Sequence, residues 1–171
     1  MKKRIILILT ILFLVVFQTT SLSFLSFKGI NPNLILVFLL LLVIFKKFEK
    51  SWPVIITIGL ILDFFSGLPF GTISLSLILV SFIINWLNRN IFSGTKFWIS
   101  ISLIILATLL YYFLLVILSK ILTFFGDGQS ISYFCSFSQG CLFSSLRGLI
   151  INLGYNILLG TFGFYGFKKW I

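Results

Sequence analysis

From Phe97 to Ser119 the chain runs without one charged side chain. A helix rises ~1.5 Å per residue, so this run alone can cross ~30 Å of hydrocarbon. Other segments approach the same length. The chain is 60% hydrophobic and 9% charged, with a mean hydropathy of +1.22. A soluble domain has too little polar surface to cover that much apolar side chain. The expected fold class is an all-α integral membrane protein, a six-transmembrane-helix bundle forming a single domain over 1–171.

The breaks between apolar runs place the expected spans at 5–25, 31–45, 53–65, 70–87, 97–119 and 141–167. The basic start MKKR and the apolar run after it resemble a signal peptide. No A-x-A-like site follows, so a retained first helix is expected. Asn31-Pro32 and Pro53 suit helix starts. KKFEKSW (46–52) reads as a charged loop with an interfacial Trp, and NRNIFSGTK (88–96) as a polar loop. The longest connection, 120–140, mixes Ser, Phe and Gly126-Asp-Gly128 and suits the membrane interface.

A net charge of +10 raises the question of nucleic acid. The basic residues instead cluster at the ends of apolar runs, which is how topology determinants are distributed, and no continuous basic face is left for phosphates. Lys2, Lys3, Arg4, Lys46, Lys47, Lys50, Arg89, Lys96, Lys168 and Lys169 fall on one side. Lys28, Lys120 and Arg147 fall on the other. With that bias both termini are expected in the cytoplasm of a bacterial inner membrane.

Reactive side chains are scarce. The chain has three acids and no His, so neither a Ser-His-Asp set nor a metal cage can be assembled, and no cofactor or enzyme activity is expected. Cys135 and Cys141 fall on the outer side, where a disulfide closing a short loop and a pair of plain small side chains are both open.

What polar residues there are recur at helical spacing. Gly59 and Asp63 share a face of the third span, and Ser66, Gly67 and Gly71 mark the turn that follows. Gly148, Asn152, Asn156 and Gly160 repeat every four residues on the last span. Ser74, Ser81, Asn85 and Asn88 lie near one face of the fourth. Small and amide side chains at this spacing let helices approach and hydrogen-bond, and the same pattern suits a partner's helix or a substrate pocket. Phe97–Leu118, apolar on nearly all sides with Ala107-Thr108 the main exception, is expected to meet lipid.

Asp63 stands out, because a charge at the centre of a spanning helix costs ~2.5–3.5 kcal/mol on insertion scales. One role open to it is an ion pair with Arg147, tying the third span to the sixth. Another is to snorkel, or to cap the turn through the Ser66 and Gly67 amides. A proton relay is a third, disfavoured without a second titratable group.

The run PVIITIGLILDFFSGLPFGTISLSLILVSFIINWLNRNIF (53–92) resembles the bacterial rod-shape-determining protein family MreD. The likeness falls on Gly59, Leu60, Leu62, Asp63, Ser66, Gly67, Gly71, the helix to Leu87 and Arg89. Asn31-Pro-Asn-Leu-Ile-Leu-Val looks like that family's second-span opening. The resemblance covers 31–92; beyond it only hydropathy agrees. It implies a non-enzymatic scaffold of the cell-elongation machinery, docking an MreC-like single-span protein and linking MreB to peptidoglycan synthases. It also implies a likeness to the fold of S components, the substrate-binding subunits of energy-coupling-factor transporters. An S component carrying a vitamin is the alternative function. Asn152, Asn156, Ser74, Asp63 and Arg147 would be its pocket candidates.

Overall fold

The computed structural model describes residues 16–18, 32–46, 48–66, 68–92, 97–125 and 146–170, and every regular element in them is helical. The helices are α1 (Leu34–Lys46), α2 (Phe48–Ser66), α3 (Thr72–Asn90), α4 (Phe97–Phe125) and α5 (Leu146–Trp170). Residues 16–18 form a further helical piece. Most of the expected first span lies outside the described residues. So do Gly67, most of the 120–140 connection, Cys135, Cys141 and the side chain of Arg147.

α1 is the hub. Its sequence LILVFLLLLVIFK offers no polar face, and a helix apolar all round settles where it is covered on every side. Apart from Phe38, Ile35 through Ile44 are at most 4% exposed, and α1 packs against each of α2, α3, α4 and α5. The other four follow one another around it, α2 on α3, α3 on α4 and α4 on α5. With 13 residues, α1 reaches only ~20 Å. Its N-terminus therefore ends inside the bundle: the Asn33 amide donates to Asn156 Oδ1 (3.3 Å), ten residues into α5.

Among the described residues, three helices are long and apolar enough to cross a membrane: α3, Phe97–Leu122 within α4 and Gly148–Lys169 within α5. α2 matches α3 in length but carries Glu49, Lys50 and Asp63. Trp52, Trp86 and Trp98 are exposed beside Lys50, Arg89 and the start of α4, the usual place for an aromatic belt.

Two sequence expectations need correction. The stretch 46–52 is not a loop: helix resumes at Phe48, and Lys47 is all that separates α1 from α2. Phe48's amide is capped by Asn85 Oδ1 of α3 (3.3 Å), and Glu49 pairs with Arg89 (3.0 Å), so the charged residues start a helix rather than interrupt one. Pro53 thus sits inside α2, near its beginning. Likewise α3 continues through Asn90 and α4 to Phe125, past the expected ends. The second correction concerns α4, which does not simply face lipid. Leu103, Ile104, Ala107, Thr108, Tyr111, Tyr112 and Leu115 recur at helical spacing and are buried, while Trp98, Leu106, Leu109 and Phe113 point outward.

Glycines set the closest approaches. A Cβ on Gly59 would lie 2.7 Å from Ser74 Cα, so α2 and α3 touch backbone to backbone there. A Cβ on Gly160 would meet only the tip of Ile104, and one on Gly163 the tip of Leu41. Gly59→Ala is therefore expected to destabilise the bundle by about 1–3 kcal/mol, because backbone cannot step aside as a side-chain tip can. Gly154→Ala, whose Cβ would meet nothing within 4 Å, is expected to be neutral or stabilising. Heating both variants in detergent and following the monodisperse fraction by size exclusion reads the difference; equal midpoints would contradict the close approach.

Candidate functional site

The first cluster is built at the α2–α3 turn. Thr72 opens α3 immediately after Gly71, whose φ of 97° is left-handed and which has no side chain to cap the new helix. The cap comes from the other helix. Asp63, 4% exposed, accepts from the Ile73 amide at Oδ1 (2.8 Å) and from the Ser74 amide at Oδ2 (3.1 Å). A carboxylate offers two oxygens to two successive N–H groups, and the positive end of the α3 dipole favours its charge.

The neighbouring hydroxyls serve the same turn. Ser66 Oγ donates to the Asp63 carbonyl (3.0 Å) and accepts from the Leu68 amide (3.2 Å). Thr72 Oγ1 donates to the Pro69 carbonyl (2.6 Å), and Ser74 Oγ to that of Gly71 (3.2 Å). Asp63 is thus a capping residue, as one sequence reading allowed. The amides it holds, however, belong to the first turn of α3, beyond the Ser66–Gly67 turn. Both its oxygens accept from these amides, and the side chain of the expected partner Arg147 lies outside the described residues.

The second cluster surrounds the buried start of α1. Asn152 and Asn156, both 0% exposed, project inward from α5. Asn156 accepts from the Asn33 amide and donates through Nδ2 to Asn152 Oδ1 (3.0 Å) and Thr108 Oγ1 (3.2 Å). Asn33 caps its own helix by accepting from the Leu36 amide (3.1 Å). Gln18 completes the end: Oε1 accepts from the Ile35 amide (2.9 Å), while Nε2 donates to Asn33 Oδ1 (3.2 Å). The α5 stripe therefore faces the interior along its length, with Gly148 buried one turn before Asn152 and Gly160 against Ile104 one turn after Asn156.

Gln18, Asn33 and Thr108 were not among the sequence candidates for a site, whereas Asn85 belonged to the polar stripe expected on the fourth span. Asn33 carried a readable signal, an Asn immediately before an apolar run. Gln18 carried none, since its partners lie 15 or more residues away, and Thr108 only that of a polar residue in an apolar run: it donates to the Ile104 carbonyl (2.8 Å), while Asn156 lies 48 residues on.

Chemically, both clusters hold backbone ends and each other. Among the described residues no three His, Cys, Asp or Glu side chains come together. Two buried described oxygens, Tyr112 Oη and Asn88 Oδ1, have no hydrogen-bond partner. Tyr112 also edges an apolar cleft of about 350 Å³ between α4 and α5, lined further by Leu106, Leu109, Leu110, Phe113 and Leu149. Comparison of the chain with protein-family models, curated proteins and solved structures gives no match in any of the three.

Removing either polar hub should be costly, because an orphaned amide in a water-free interior loses the solvent that would otherwise compensate it. Asp63→Ala is expected to cost about 2 kcal/mol or more, since it orphans two amides. Asp63→Asn should fall between Ala and wild type, keeping one acceptor while setting an N–H₂ against the other amide. Asn156→Leu, similar in volume, should cost about 1–2 kcal/mol. Thermal midpoints in detergent check all three; an Asp63→Ala midpoint at or above wild type would exclude the capping role.

Proposed function

We propose that the chain is a non-enzymatic scaffold of the bacterial cell-elongation machinery, a six-span inner-membrane protein with both termini cytoplasmic. In this role it docks an MreC-like single-span protein and links MreB to the peptidoglycan synthases. What supports the reading is the resemblance of residues 53–92 to the MreD pattern, which falls among others on Gly59, Asp63, Ser66, Gly71 and Arg89. Each of these has a specific task in one helical hairpin. Gly59 admits the α3 backbone, Asp63 and Ser66 hold the turn, Gly71 supplies its left-handed residue and Arg89 ties the far end to Glu49.

A hairpin locked from within leaves its outer faces apolar: Leu60, Phe64 and Phe65 of α2, with Leu75, Leu79 and Phe82 of α3, are exposed. Such faces suit lipid or a partner's membrane helix, and a scaffold needs nothing more reactive. The S-component alternative draws support from a different place, the apolar α4–α5 cleft that Tyr112 helps to line.

Affinity purification of the tagged chain from its own membranes in mild detergent separates the two. Co-elution of an MreC-like single-span protein, reduced several-fold by Asp63→Ala at equal bait recovery, is the result expected. Co-elution of paired ATPases with a membrane coupling subunit would replace the scaffold reading with the transporter one.

A further inference from the structure

Where α4 passes the start of α5, the two helices leave an apolar cleft of about 350 Å³. Among the described residues its lining is Leu106, Leu109, Leu110, Tyr112 and Phe113 of α4 with Leu149 of α5. The lining is graded in depth. Tyr112 is buried, Leu110 and Leu149 are half-buried, and Leu106, Leu109 and Phe113 stand exposed at the rim. The Tyr112 hydroxyl is itself buried, so the cleft meets the ring and not the oxygen. No described charged residue lines it.

Its position decides what lies at the mouth. Phe97–Leu122 is the part of α4 apolar enough to cross a membrane, and Leu106–Phe113 form the middle of it. Neither water nor headgroups reach that depth, so a sideways opening meets hydrocarbon chains or another helix. Size separates these two occupants. From Leu106 to Phe113 is ~10 Å along α4, which gives the cleft a mean width of roughly 6–7 Å. A helix with its side chains is ~10–12 Å across and would rest on the rim. A single polymethylene chain can enter. A dry apolar cavity of ~150 Å³ takes one benzene, so this cleft has room for roughly 10–14 carbons.

We propose that the α4–α5 cleft is a site for one acyl chain of a bilayer phospholipid, held by packing alone. Leu149 lies in the first turn of α5, so the chain descends from the surface where that helix begins. Its distal carbons settle between Leu110 and Leu149 against the Tyr112 ring, and give those side chains the contacts that an open cleft withholds. Recognition is of chain length, since each methylene buried there is worth about fourfold in retention. The site is independent of the scaffold reading.

The test uses the full-length purified protein in mild detergent, titrated with dioctanoyl, dimyristoyl or dipalmitoyl phosphatidylcholine and read by native mass spectrometry. Wild type should retain the dipalmitoyl lipid at least about tenfold more strongly than the dioctanoyl one. Leu149→Trp, which sets an indole in the cleft, should reduce that ratio several-fold. Leu79→Trp, on the exposed face of α3, should leave it unchanged. A second measurement needs no variant. Wild type in phosphatidylcholine vesicles is photolysed with a phosphatidylcholine carrying a diazirine near the end of one acyl chain. Leu106–Phe113 and Leu149 should be labelled several-fold more than Leu75 and Leu79, which are exposed and apolar but outside the cleft. Should Leu149→Trp not fold, this comparison decides.

Three results would overturn the proposal. One is a chain-length ratio that Leu149→Trp and Leu79→Trp leave equally unchanged. Another is even labelling of the cleft and of α3, which would mean ordinary boundary lipid and no site. The third is labelling of the cleft below that of Leu75 and Leu79, which would give the cleft to a protein neighbour.

Discussion

A helix that starts inside a membrane protein brings N–H groups that no water can reach, and the rest of this structure is arranged around meeting that need. An unmade hydrogen bond at such a place costs several kcal/mol, far more than the ~1 kcal/mol a typical one contributes to a soluble protein. Three helix starts show the same solution. α1 is served by Asn33, Asn156 and Gln18, α2 by Asn85 and α3 by Asp63. In five of these six bonds to helix starts the acceptor comes from a different element, so the same contact that satisfies an amide also fixes how two segments sit. Polar residues are few, and their positions follow the helix ends they serve.

Packing then works between those fixed points. α1 has no polar face to orient it, so its depth and direction come from the amide cluster at one end and the Phe45–Phe164–Phe167 rings at the other. α5 reaches α4 and α1 through different glycines, Gly160 beneath Ile104 and Gly163 beneath Leu41. Leu and Ile tips fill those two notches, which leaves them some adaptability. The Gly59–Ser74 approach has none, because backbone lies on both sides.

Much of this was legible in the sequence, for definite reasons. Helix class followed from apolar run length, and the inward α5 stripe from the four-residue repeat of Gly148, Asn152, Asn156 and Gly160. The capping option for Asp63 followed from its place just before a Gly-rich turn. The errors arose where a local signal had a distant answer. KKFEKSW looked like a loop because its charges are counted locally, whereas Asn85 and Arg89, 37 and 40 residues on, make it the start of a helix. α4 looked lipid-facing because Leu and Ile serve a protein interior as well as a bilayer. Only its Ala107-Thr108 hinted at a buried side. The thirteen-residue length of α1 could have warned that it does not cross unaided, since runs this short are more often core helices.

The two reciprocal caps in the α2–α3 hairpin also order events during synthesis. α2 leaves the ribosome with Glu49, Lys50 and Asp63 in place, too charged to partition into lipid readily on its own. Its acid finds acceptable surroundings only when Ile73 and Ser74 have followed, and its first amide only when Asn85 has been made. Each helix of the hairpin thus supplies what the other lacks: α2 brings the carboxylate that the α3 amides need, and α3 the amide oxygen that the α2 start needs. An acid that looked misplaced on one helix is, for the pair, half of a reciprocal fit.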